Sequence, residues 1–130
     1  LRTLKVDLKN KKIVILGNGR LVGKPLAEIL RAKKIEPIIC DTRTKNVPAK
    51  CKQVDIIITA VGQKDLVRGN MVKPGAIVID AGVSFENKKM FGDVNFEEAK
   101  KVAGAITTTP GGVGPITVAM LLYNVMRIYK

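Results

Sequence analysis

The chain has 130 residues, 46% of them hydrophobic and 26% charged, which suits one α/β domain burying about two thirds of its unfolded surface and leaves no room for a second. Its 23 basic and 11 acidic residues give a net charge of +12, which points to anionic partners; but the lysines are scattered, only five residues are aromatic, and no nucleic-acid motif is present. Phosphorylated or carboxylated small molecules are therefore expected rather than nucleic acid, and a membrane is not expected either, because no apolar run approaches roughly 18 residues.

The elements follow in chain order. The first residues, "LRTLKVDLKNKK", are too charged for a signal peptide, so a cytoplasmic location is expected. "KIVIL" at 12 to 16 is a continuous β-branched run and reads as a strand buried on both faces. "VGKPLAEILRAKK" then places Val22, Leu26, Ile29 and Leu30 at helical spacing before a basic last turn, which predicts a helix with those four on its buried face. "PIIC" at 37 to 40 is the second strand, "VPAKCKQV" a short helix, and "DIIITA" at 55 to 60 the third strand. "AIVIDAG" at 76 to 82 and "GAIT" at 104 to 107 complete a set of five strands. Between them, Asn95 before "FEEAKKV" with Glu98 three residues on fits an N-cap with a capping box. The chain closes with a helix in which Pro115 suits the first position and Ile116, Ala119, Met120, Tyr123 and Met126 recur at helical spacing. Strands alternating with helices imply a doubly wound, mainly parallel α/β sheet with helices on both faces.

In such a sheet ligands sit beyond the carboxyl ends of the strands, where the strand order reverses. The turn after the first strand holds Gly17, Gly19 and Gly23, one residue off the commonest dinucleotide spacing. Gly17 permits the turn, Gly19 lets backbone amides approach a pyrophosphate, and Gly23 allows close helix packing. Asp41, ending the second strand, stands where an acid accepts hydrogen bonds from an adenosine ribose, or else it caps a turn. A 2′-phosphate at 4 Å from that carboxylate would be repelled by up to about 4 kcal/mol at an effective dielectric of 20, which favours NAD. Arg20, Arg43 and Lys45 stand near enough in sequence to offset that repulsion, and Thr42 could donate to a phosphate. "TAVGQ" and "DAGVS" close the third and fourth strands with small residues suited to a nicotinamide ring. Cys40 and Cys51 lack metal-ligand spacing and no histidine is present, so free buried thiols and no metal site are expected.

Together these loops resemble the bifunctional methylenetetrahydrofolate dehydrogenase/cyclohydrolases. The resemblance rests on "VGKP" at 22 to 25, "TK" at 44 and 45, "TAVGQ" at 59 to 63, "VKPGAIVIDAGV" at 72 to 83, "GDVNFEEAK" at 92 to 100 and "AITTTPGGVGPITVAML" at 105 to 121. It implies a Rossmann-like NAD(P)-binding domain over residues 1 to 130, with Gly17, Asn18, Gly19, Thr42, Val83 and Thr117 about the cofactor; Arg20, Val22, Gly23, Asp41, Val61 and Gly62, on the same strand-end turns, complete the expected cofactor site. It also implies that Pro110, Gly111, Gly112, Val113, Gly114 and Pro115 face a folate cleft. The family's catalytic lysine, its partner tyrosine and the pterin-holding aspartate belong to an N-terminal domain with no counterpart here, so this chain is expected to be about half an enzyme, without catalytic residues and inactive alone. A homodimer and a folate substrate are the partners the resemblance implies. The rival expectation is a stand-alone dinucleotide-binding module, against which "PGGVGP" speaks, since a pure nucleotide binder has no use for a folate-side loop. NADP-using members carry serine where this chain has Gly19 and His-Ser where it has Asp41 and Thr42, which again tilts the expectation slightly from NADP to NAD.

Overall fold

The computed structural model describes residues 6 to 128. After a short 3-10 turn, the elements are β1 (Ile13–Leu16), α1 (Gly23–Ala32), β2 (Ile38–Cys40), α2 (Val47–Lys52), β3 (Ile56–Thr59), β4 (Ile77–Asp80), β5 (Ser84–Glu86), β6 (Lys89–Phe91), α3 (Phe96–Ala99), β7 (Ala105–Ile106) and α4 (Val113–Ile128). Five strands form one parallel sheet in the order β2-β1-β3-β4-β7, the Rossmann-like arrangement expected. The order reverses at β1: the chain moves outward from β1 to β2, then crosses back to lay β3 on the other side. That reversal opens a crevice between the turns leaving β1 and β3.

Central strands β1 and β3 are buried along their whole length, and their alternate residues feed two cores. Val14, Leu16 and Ile57 join Cys51, Val54, Val67, Val72 and Val78 on one face, while Ile13, Ile15, Ile56 and Ile58 join Ala27, Leu30 and Ile35 on the other. Each such aliphatic side chain contributes about 1.5–3 kcal/mol by leaving water. Burial is shallower at the rims, contrary to the expectation of strands covered on both faces: Ile38 of β2 is exposed and both residues of β7 are half-buried, because each of these edge strands has a single neighbour.

Three local expectations differ from the structure. Of the expected face of α1, Leu30 is buried and Leu26 packs against the same core, but Ile29 is 55% exposed and Gly23 and Ala27 take the other buried positions, small enough for close approach. Asn95 does cap α3, its Oδ1 accepting from the Glu98 amide, but the capping box is not reciprocal. The Asn95 amide already donates to the Val67 carbonyl, and the Glu98 carboxylate accepts from the Gly69 amide instead. Pro115 occupies the third position of α4, and Ile116, Met120, Tyr123 and Met126 are all exposed rather than packed. The hairpin of β5 and β6 was not expected; it turns through Asn87 and Lys88, both at positive φ, which matches a two-residue I′ turn. Among the described residues no helix is long and apolar enough to cross a membrane.

Candidate functional site at the strand reversal

Two depressions flank the turn after β1. The first, of about 600 Å³, lies towards β2 and is lined by Gly17, Asn18, Lys24, Asp41, Thr42, Arg43, Val47, Pro48, Val61, Gln63, Leu66 and Met71. That volume is in the range of small-molecule sites. The second, of about 340 Å³, lies towards β4 and is lined by Gly19 to Val22 on one side and by Val61, Gly62 and Ala81 to Val83 on the other. Val61 borders both.

The glycine turn joins them. Gly17 has φ +98°, donates to the Cys40 carbonyl at 2.8 Å, and has no room for a side chain because a Cβ would meet the Ala60 carbonyl oxygen at 2.8 Å. Gly23 lies against the same turn, where a Cβ would come within 2.0 Å of the Gly17 oxygen. Gly19 is different: nothing lies within 4 Å of a Cβ placed there. The fold itself therefore demands glycine at 17 and 23 but not at 19, which faces open space. Helix α1 begins at Gly23 with no side-chain cap at Val22; the Lys24 amide donates to the Gly19 carbonyl and the Leu26 amide to the Val22 carbonyl, and Pro25 has none, so what this end turns towards the turn is chiefly the positive end of the helix dipole.

On the β2 side, Asp41 is fully engaged by its own turn. Its carboxylate accepts from the Arg43 amide at 2.9 Å and the Arg43 guanidinium at 3.0 Å, and its amide donates to Thr44 Oγ1 at 2.9 Å. The Arg43 side chain, bonded to the carboxylate, holds the Asp41 carboxyl below its ordinary range. Asp41 thus combines the turn-capping role with a place in the cavity wall, and the exposed Arg43 brings a positive charge to the same spot. Burial pushes the nearby Cys40 thiol up, and that of Cys51 up to about 11, so neither is a nucleophile near neutral pH.

On the other side, the strand-end turns are held by two aspartates that the sequence reading passed over. Asp93, wholly buried, accepts four hydrogen bonds, from Thr59 Oγ1, and from the amides of Val61, Gly62 and Gln63, all between 2.7 and 2.9 Å. Asp80 accepts from the amides of Gly82, Asp93 and Val94, and burial raises its carboxyl above the ordinary value. The signal available in the sequence is slight: an acid that ends the "AIVID" run and another in "GDVN".

Most residues expected at a cofactor thus converge: Gly17, Asn18, Asp41 and Thr42 in the first depression, Gly19, Arg20, Val22, Gly62 and Val83 in the second, with Val61 in both and Gly23 supporting the turn. Thr117 does not join them; it stands on α4, its hydroxyl bonded to the Val113 carbonyl, and lines neither depression. The Pro110 to Pro115 loop follows β7, beyond the same sheet end, and Thr107 at its root accepts from the Asp80 amide at 2.9 Å.

The family model for the NAD(P)-binding domain of tetrahydrofolate dehydrogenase/cyclohydrolase matches residues 1 to 130. The chain belongs to this family. It is 45% identical to the bifunctional protein FolD of Acetivibrio thermocellus over 96% of its own length and 44% of that protein. Among solved structures it is similar to the bifunctional FolD methylenetetrahydrofolate dehydrogenase/cyclohydrolase of Campylobacter jejuni, with a TM-score of 0.91, 42% identity, and coverage of 97% of this chain and 45% of that one. It is also similar to the Trypanosoma brucei FolD enzyme solved with NADP and an inhibitor, with a TM-score of 0.89, 37% identity, and coverage of 96% and 45%. The chain therefore spans somewhat less than half the length of these FolD relatives.

Proposed function

We propose that the chain is the cofactor-holding half of a methylenetetrahydrofolate dehydrogenase/cyclohydrolase, binding a nicotinamide dinucleotide across the strand reversal. The observation that carries this reading is the open space at Gly19 before the positive end of α1, set between two depressions. An adenosine half suits the larger depression beside Asp41, Thr42 and Arg43, a diphosphate suits the Gly17 to Gly19 turn, and a nicotinamide suits the gap between Val61–Gly62 and Val83. When bound, the nicotinamide would accept a hydride from 5,10-methylenetetrahydrofolate, after which the methenyl product is hydrolysed to 10-formyltetrahydrofolate. This chain's contribution to the hydride step is orientation: it holds the ring at a fixed depth and, through the loop from Pro110 to Pro115, borders the folate.

A further domain completes the enzyme in this reading. Support comes from α4, where Ile116, Val118, Leu121, Leu122, Tyr123 and Met126 are each more than half exposed, an apolar surface that ordinary folded domains keep covered. The chain alone then binds cofactor without turnover, and the complete protein is a homodimer. As to cofactor, the lean towards NAD drawn from Asp41 finds no support in the comparisons, and Arg43 neutralises that carboxylate. Both dinucleotides are within reach of the site. Calorimetric titration with NAD and NADP tests the reading: saturable binding of either at one site is expected, and binding of neither overturns it.

A further inference from the structure

The second depression owes its shape to one carboxylate. Asp93 gathers the amides of three successive residues, Val61, Gly62 and Gln63, and the hydroxyl of Thr59 at the end of β3. The same carboxylate packs against the turn leaving β4, where a Cβ on Gly82 would meet it at 2.1 Å. The arrangement is reciprocal, because Asp80 from the β4 end lies against Gly92, where a Cβ would meet its Oδ2 at 2.0 Å, and accepts from the Asp93 amide. Each aspartate thus fills the space beside a glycine belonging to the other's segment. The two turns so tied lie against each other, since a Cβ on Gly62 would stand 3.3 Å from the Val83 carbonyl oxygen, and both line the second depression. Asp93 itself lines neither depression.

We propose that Asp93 is a positioning residue for the nicotinamide end of the dinucleotide, setting the separation of the Val61–Gln63 and Ala81–Val83 turns through its four accepted hydrogen bonds. This rests on the reading that the chain binds a dinucleotide. A carboxylate is suited to the task because it accepts on both oxygens, whereas an amide of the same shape must aim its NH₂ at two donors. In Asp93→Asn the turn therefore has to swing away on one side, and a buried donor left unpaired makes that change costly.

The test compares the affinities of NADP, NAD and AMP for the chain, each measured by calorimetry, in the unaltered protein and in Asp93→Asn. The ratio of dinucleotide to AMP affinity is expected to fall about tenfold, the equivalent of about 1.4 kcal/mol. A purely structural role weakens AMP and dinucleotide alike, so an unchanged ratio overturns the proposal. Should Asp93→Asn lack a cooperative thermal transition, Thr59→Val, which removes one donor of the four and leaves the three amides paired, decides by the same ratio, with a smaller fall expected. If the unaltered chain holds AMP and dinucleotide equally, the dinucleotide reading itself fails, and the proposal with it.

Discussion

Gly19 and Gly23, four residues apart in one turn, should respond to alanine in opposite ways. At Gly23 a Cβ would stand 2.0 Å from the Gly17 carbonyl oxygen, about 1 Å inside the closest approach real Cβ atoms keep, and the obstacle is backbone. Helix α1 or the turn must move by that amount, and overpacking of this kind costs about 1–3 kcal/mol. A gain of about 0.4–1 kcal/mol from the stiffer unfolded chain offsets part of it. A net loss of about 1–2 kcal/mol lowers Tm by roughly 4–8 °C in a domain of this size. At Gly19 the Cβ meets nothing within 4 Å, so only the unfolded-chain gain remains and Tm holds or rises slightly. The methyl group would nevertheless occupy the space offered to a diphosphate, and dinucleotide affinity should fall at least about tenfold, the equivalent of one charge-assisted hydrogen bond. Thermal melting by circular dichroism together with titration of NADP reads both effects. Gly19→Ala with undiminished affinity would refute the reading of the turn, and Gly23→Ala with undiminished Tm would refute the packing argument.

Other expectations test separate parts of the structure. Arg43→Ala should weaken NADP more than NAD, because it removes the positive charge bonded to Asp41 and leaves that carboxylate facing a 2′-phosphate; equal losses for the two cofactors, measured by titration at moderate salt, would count against this role. Lys73, hydrogen-bonded to Asp55 at 2.7 Å, holds the Asp55 carboxyl below the usual carboxylate range. The folded state therefore binds that proton less readily than the unfolded state. The stabilisation is present above about pH 4 and lost as pH falls further, so the stability gap between the natural chain and Asp55→Asn should narrow on acidification in urea melts. A gap independent of pH would exclude the linkage. Cys40 and Cys51, both buried with raised thiols, should react with a thiol reagent at pH 8 only after unfolding; fast labelling of the native chain would contradict the burial.

How legible the fold was depended on whether a feature is local. The central strands were plain because isoleucine and valine crowd "KIVIL" and "DIIITA", and burial on both faces leaves no polar alternation to confuse them. The same rule failed at the rims, since nothing in "PIIC" or "GAIT" reveals that a strand has one neighbour rather than two. On α1, helical spacing singled out large apolar residues, whereas contact with the turn after β1 selected Gly23 and Ala27, small enough for close approach. The hairpin escaped notice because Asn87-Lys88 lacks the glycine that usually marks a I′ turn. Helix α4 was legible as a helix, but its apolar spacing does not tell whether the covering surface belongs to the same chain. Asp80 and Asp93 were the hardest case: an isolated aspartate near a strand end reads as punctuation, and only the crossing of β3, β4 and the "GDVN" segment turns the pair into a clamp.

The chemical character of the site follows from what lines it. The first depression offers Lys24, Asp41 and Arg43 as its titratable groups, and the second offers Arg20; Asp41 is already paired with Arg43. The remaining walls are the neutral polar Asn18, Thr42 and Gln63 with glycine, alanine, valine, leucine, proline and methionine. Asp80 and Asp93 are buried, and each carboxylate is occupied by backbone amides of the turns it holds. None of these groups is placed to take or give a proton at a substrate atom. The site is thus built for distance rather than reactivity: glycines let the backbone approach, the α1 dipole presents its positive end, and two interlocked carboxylates tie the two turns together. For the hydride transfer proposed above that division suffices on this side, because rate depends on how closely and at what angle the donor carbon meets the ring, and a displacement of about 1 Å costs on the order of a hundredfold. In the function proposed above, acid–base work in the hydrolytic step falls to groups beyond those lining this site, in keeping with the apolar face that α4 leaves exposed among the described residues.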